Sequence, residues 1–280
     1  MKKIAKIIIE GTIQKENATY NQKWLLETIK NLTERKDFAG IFLYINSPGG
    51  GVYESDEVYE AILKYKEKTQ KKVYAYLADV AASGGYYIAC SADKIIANRN
   101  CLTGSIGVIA AQFLDVSKLL KKYEIRASVV HSGKNKVMGN PLEPFTQEQV
   151  KIMQSVSDEC YEQFTKLVAK SRNLELEEVK SLADGRVYTA RQALENGLID
   201  EVSSFDDAVK SFCRDVLNDE ESEPNIKEFK PKEKRNFMKM LKGASSQMGK
   251  IEEFSQILQE LGLKTKIPFP AYYCEFCSKN

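Results

Sequence analysis

Gly40-Ile-Phe-Leu-Tyr-Ile-Asn46, followed by Ser47-Pro48-Gly49-Gly50-Gly51, is the stretch that decides the fold. Its first seven residues are a continuous apolar run without the alternation of a half-solvated strand, as expected of a strand buried on both faces. Ser47 to Gly51 reads as a loop, and Val52 to Lys66 reads as a helix. The same alternation continues on either side. Lys6 to Ile9 is strand-like, and Asn21 to Arg35 has helical spacing through Trp24, Leu25, Ile29 and Leu32. Val73 to Leu77 is a strand, Gly84 to Ala92 a helix and Lys94 to Ala97 a strand, while Ala127 to Val130 is a further strand-like run. Such repetition predicts an α/β fold with a mainly parallel sheet and helices around it.

Phe145 to Asn173 reads as a long helix that Thr146 can cap, with Gln149 three residues on. Leu176 to Ala183 is a shorter helix, and Asp184 to Tyr188 turns into an extended piece before Thr189 caps Ala190 to Asn196. The character changes near Asn218, where an acidic, turn-rich segment begins. The expected domains are 1–217 and 218–280, the second a charged linker with a helical and irregular C-terminal extension. Within it Lys227 to Lys242 interleaves lysines with Phe229, Phe237, Met238, Met240 and Leu241, and Ile251 to Leu263 reads as a last helix. The lysine-rich stretch fits an exposed segment, or a helix that associates with a membrane surface or a partner.

Composition narrows the function classes. The 280 residues are 43% hydrophobic and 29% charged, ordinary for a soluble globular chain. Lys plus Arg (41) nearly balances Asp plus Glu (39), so no global basic field points to nucleic acid. Met1 to Gly11 holds only a short apolar run, against the roughly 20 residues of a membrane span, and reads as a first strand. The six cysteines are scattered apart from Cys274 and Cys277, which fits a reducing compartment rather than a disulfide framework. That last pair has metal-knuckle spacing but no second pair nearby, so a free tail competes with a zinc or redox role. His131 is the only histidine, which excludes a multi-histidine metal site within one chain. It stands at the end of a strand-like run, where an incidental histidine is expected.

Ser83 then becomes conspicuous. It lies in Ala81-Ala82-Ser83-Gly84-Gly85-Tyr86-Tyr87, between an apolar strand-like run and an apolar helix-like run. This is the layout of a nucleophile on a sharp strand-to-helix turn, with glycines leaving the hydroxyl uncrowded and helix N–H groups behind it. Ala-Ser-Gly-Gly also describes an ordinary tight turn. Gly49 to Gly51, at the carboxyl end of a buried strand, can present N–H groups to a substrate carbonyl. Leu102-Thr103-Gly104-Ser105-Ile106-Gly107-Val108 is another glycine-punctuated turn with a hydroxyl. Ser132-Gly133-Lys134-Asn135-Lys136 puts two lysines on a loop, and with histidine scarce a lysine is the available general base.

Five segments together resemble the signal peptide peptidase A family, bacterial serine peptidases of the Clp/crotonase-like superfamily. They are Asn46 to Gly51, Ala82 to Tyr87, Ala92-Asp93-Lys94-Ile95, Thr103 to Val108 and Asp184 to Tyr188, and the likeness runs from about Ile4 to Phe205. The resemblance implies the ββα superhelix of that superfamily and a Ser-Lys dyad needing no cofactor and no metal. It assigns Ser83 as nucleophile, Lys136 as general base with Lys134 its rival, and Ser105 as the residue that orients the lysine amine. It assigns the amides of Gly50 and Gly84 to the oxyanion hole. It also implies peptide substrates such as signal-peptide remnants or hydrophobic polypeptides, and an octamer-like homo-oligomeric ring in which Lys136 serves a neighbour's Ser83. Short members of the family usually carry an N-terminal membrane anchor, whereas this sequence opens on its first strand, so either an anchor has been removed or this member is a soluble peptidase. Two rival readings remain open. A crotonase-type acyl-CoA enzyme would use Glu54 or Glu57 as acid and base, and a catalytically silent scaffold would bind membrane or partners through the basic segment near Lys239.

Overall fold

In a computed structural model of the chain, residues 2–217 and 225–231 are described. They hold eight strands and eight helices. In chain order these are β1 (Lys3–Glu10), α1 (Gln22–Thr33), β2 (Phe38–Ser47), α2 (Val52–Thr69), β3 (Val73–Ala82), α3 (Gly84–Ala89), β4 (Lys94–Ala97) and β5 (Leu102–Gly104). There follow α4 (Ser117–Lys122), α5 (Gln147–Arg172), α6 (Leu176–Leu182), β6 (Val187–Thr189), α7 (Ala190–Glu195), β7 (Glu201–Val202), α8 (Phe205–Leu217) and β8 (Ile226–Phe229). All the strands join one sheet in the order β6-β5-β3-β2-β1-β8, with β4 and β7 continuing from the first half of β3. Every pairing is parallel except β5 with β6. The mainly parallel α/β architecture expected from sequence is the one observed.

The apolar run of β2 behaves as its composition requires. Ile41, Phe42, Leu43 and Ile45 are all buried, and their alternate side chains enter two different cores. Ile41, Leu43 and Ile45 join Ile7, Leu25, Val58, Ile62 and Tyr86 between the sheet and α1, α2 and α3. Phe42 faces the other side, where Tyr74, Tyr76 and the Val209 and Phe212 of α8 cover it. Helices on both faces are what an all-apolar strand needs to escape water.

Two predictions of local structure fared differently. Thr146 and Thr189 each close a capping box, with Gln149 and Gln192 respectively. Ala127 to Val130, read as a strand, is irregular and exposed. A strand requires a neighbour for its backbone groups, and this segment pairs with none among the described residues. The lysine-rich stretch also gives its first residues to the sheet, since Ile226–Phe229 pairs in parallel with Ile4–Ile7. Residues 232–242 of that stretch, the helix read at Ile251 to Leu263, and Cys274 and Cys277 lie outside the described residues. No helix among the described residues is long and apolar enough to cross a membrane.

Candidate active site

Three neighbouring parallel strands, β1, β2 and β3, end on the same side of the sheet. At such carboxyl ends of an open α/β sheet ligands bind. The end of β3 delivers Ser83, whose backbone sits at φ 52°, ψ −119°. A side-chain-bearing residue rarely adopts that conformation, and its cost is of order 1–3 kcal/mol. The turn is held on both sides: the Ser83 amide donates to the Gly104 carbonyl at 2.8 Å, and the Tyr87 amide donates to the Ser83 carbonyl at 2.8 Å. Its hydroxyl is half-buried and makes no hydrogen bond among the described residues.

The end of β2 delivers the glycine loop against this turn. A Cβ on Gly49 would stand 2.8 Å from the Ser83 Cβ and 2.7 Å from the Gly84 nitrogen, so only glycine lets the two backbones approach. A Cβ on Gly84 would in turn stand 3.3 Å from the Gly50 nitrogen and 2.3 Å from the Ser55 hydroxyl. The Gly50 and Gly84 amides therefore lie close together, and neither donates to an acceptor within the described residues. An uncommitted hydroxyl beside two uncommitted N–H groups is an arrangement that can hold a tetrahedral oxyanion.

A cleft opens over this corner. It is lined by Gly50, Ser55, Ser83 and Gly84 together with Val108, Cys160, Gln163 and Phe164. Tyr87, which also lines it, donates its hydroxyl to Asp56 at 2.7 Å and accepts from Gln163 at 3.1 Å. Burial and that carboxylate raise the Tyr87 pKa well above the ordinary phenol value, so the hydroxyl stays protonated. Its ring packs against Tyr59 and Phe164. Ser157 on α5 donates to the Val108 carbonyl at 3.2 Å, which fixes that wall to the long helix.

The other residues singled out from sequence fall outside the cleft lining. Ser105 lies two residues before the lining Gly107, at φ 49°, its amide bound to the Arg186 carbonyl at 2.8 Å. Lys136 is exposed on a turn and its side chain has no ion-pair or hydrogen-bond partner among the described residues. Lys134 pairs with Glu148 at 2.5 Å. His131 is exposed and contacts the Gly133 carbonyl. Glu54 and Glu57 do not line the cleft, and the Glu57 carboxylate is occupied by Gln22 and Tyr53. Sequence reasoning missed Ser55 and the Cys160, Gln163, Phe164 wall. The spacing of Cys160, Gln163 and Phe164 on one face of α5 is a readable helical signal, but nothing in it says which element that face meets.

The fold belongs to the Clp protease class of α/β proteins. A solved ClpP1 mutant from Listeria monocytogenes superposes with a TM-score of 0.50 at 16% identity, over 72% of this chain and 92% of that one. Residues 65–216, more than half of the chain, match Peptidase family S49, and the chain belongs to that family. It is 38% identical over 221 residues to an Enterococcus faecium protein named as a signal peptide peptidase SppA, across 76% of this chain and 64% of that protein. It is 32% identical to the chloroplastic serine protease SPPA of Arabidopsis thaliana, across 72% of this chain and 29% of that protein. The likeness to the named signal peptide peptidase thus extends over less than two thirds of that relative's length.

Proposed function

We propose that this chain is a serine endopeptidase working through a Ser-Lys dyad, with Ser83 as nucleophile and Lys136 as general base. Unprotonated Lys136 takes the Ser83 proton, Ser83 attacks a peptide carbonyl, and the Gly50 and Gly84 amides hold the oxyanion. Lys136 then protonates the leaving amine, and water repeats the sequence on the acyl-enzyme. The observation that carries this reading is the corner itself: a hydroxyl on a strained turn, with two uncommitted amides from separate loops brought against it.

Lys136 stands exposed and has no partner among the described residues, and it is not among those that line the cleft. This supports a dyad completed between subunits of a homo-oligomeric ring, with Ser105 orienting the incoming amine. Signal-peptide remnants and other hydrophobic polypeptides are the substrates proposed. Ser83→Ala and Lys136→Ala should each abolish peptide cleavage and leave the assembly intact. Mixing the two inactive variants under subunit exchange should restore about a quarter of the sites in a head-to-tail ring, because each site draws on two independently chosen subunits. Full activity of Lys136→Ala would overturn the dyad, and no recovery on mixing would overturn the shared site.

A further inference from the structure

Residues 11–21, between β1 and α1, bind the glycine loop through Ile13. The Ile13 amide donates to the Gly49 carbonyl at 2.8 Å, and the Gly51 amide donates to the Ile13 carbonyl at 2.8 Å. These two bonds bracket Gly50 and leave its own amide without an acceptor among the described residues. The contact is so close that a Cβ on Gly50 would stand 1.9 Å from the Ile13 carbonyl oxygen. Ile13 is itself fully buried in the main core.

The segment is pre-shaped by Asn17. Its side-chain oxygen accepts from the amides of Thr19 (2.9 Å) and Tyr20 (2.7 Å) and from the Thr19 hydroxyl (3.3 Å), and its side-chain nitrogen donates to the Thr12 carbonyl at 2.7 Å. A second tie runs to α2. The buried Tyr20 hydroxyl donates to Gln22, which donates to the Glu54 carbonyl at 3.0 Å and the Glu57 carboxylate at 3.1 Å. The glycine loop is therefore held at its middle and at the helix that follows it. All of these residues precede the stretch 65–216 that defines the family match.

We infer that residues 11–21 are a positioning strap for the oxyanion hole, with Ile13 setting the direction of the Gly50 amide and Asn17 holding Ile13 in place. This rests on the assignment of Gly50 to the oxyanion hole. A donor helps only where the developing charge will sit, and loss of one such donor lowers turnover by about 100–1,000-fold. Slackening the strap should therefore lower kcat and leave ground-state binding alone.

The test uses Asn17→Ala, which removes all four side-chain bonds, Asn17→Asp, which keeps the three acceptor bonds, and Tyr20→Phe, which cuts the tie to α2. In Asn17→Ala, kcat on a blocked peptide ester should fall at least about 10-fold with KM within about 2-fold, affinity for a peptide aldehyde should fall in parallel, and Asn17→Asp should recover most of the loss. Tyr20→Phe should give a smaller loss of the same kind. Native mass should not change. Independently of activity, amide hydrogen exchange across residues 48–53 should accelerate in Asn17→Ala while β2 stays protected. Unchanged exchange there, an unchanged kcat, or a loss confined to KM would overturn the strap. A wild-type chain that neither cleaves esters nor reacts at Ser83, but shows the exchange change, would overturn the peptidase reading and leave the strap as a loop-ordering element.

Discussion

Ser83 is the residue at which stability and chemistry conflict most openly. Its φ of 52° is imposed by the chain on both sides, through the Gly104 and Tyr87 bonds and the close approach of Gly49. Glycine would occupy this turn without strain, at an entropic cost on folding of about 0.5–1 kcal/mol. Against a strain of order 1–3 kcal/mol, Ser83→Gly should stabilise the fold by about 1 kcal/mol, while Ser83→Ala, which keeps a Cβ, should leave it unchanged. Guanidinium denaturation of the two inactive variants separates the cases. A Ser83→Gly midpoint below that of Ser83→Ala would mean that the turn is not strained. The same geometry explains why the residue was visible in sequence. A lone serine followed by two glycines, between two apolar runs, is a local signal, and a local signal survives without tertiary information.

At the scale of elements, legibility depends on whether a segment's partner is nearby in the chain. β2 could be read because an all-apolar strand demands cover on both faces whatever supplies it. The caps at Thr146 and Thr189 could be read because their hydrogen bonds are made within three residues. The α5 wall of the cleft could not, since its Gln163 meets Tyr87 and Asp56 from 76 and 107 residues away. That contact carries a prediction of its own. Gln163→Leu keeps the bulk but leaves the Tyr87 hydroxyl and the Asp56 carboxylate without their common donor. Because Gln163 lines the cleft and spends its hydrogen bonds on the Tyr87 and Asp56 side chains rather than on Ser83, the substitution should raise KM for peptides several-fold and change kcat little, read from steady-state kinetics on a matched substrate series. A loss mainly in kcat would show instead that α5 governs the nucleophile's geometry. Ala127 to Val130 failed as a strand for the converse reason. Its β-branched residues signal a preference for extended backbone, but no neighbour within the described residues supplies the edge on which that preference could act.

At the scale of the whole molecule, the segment between β5 and α5 departs most from the rest of the chain. It carries Ile109, Leu114 and Val130 at 88%, 68% and 99% exposure, although the same chain buries most of the aliphatic side chains of its sheet. Exposed apolar side chains gathered on one segment are the usual mark of a contact surface. The segment also contains Lys136, the residue proposed to act on a neighbour. Ile109→Asp and Val130→Asp should therefore separate folding from assembly. Both side chains are already in water in the single chain, so each substitution should shift its intrinsic stability by no more than about 0.5 kcal/mol. At a subunit contact, by contrast, an unpaired carboxylate must be desolvated without a partner. The expected result is a folded monomer by native mass and circular dichroism, with peptide cleavage lost together with the assembled species. Retention of both assembly and activity in the double variant would place the subunit contact elsewhere and remove the structural argument for a dyad shared between chains.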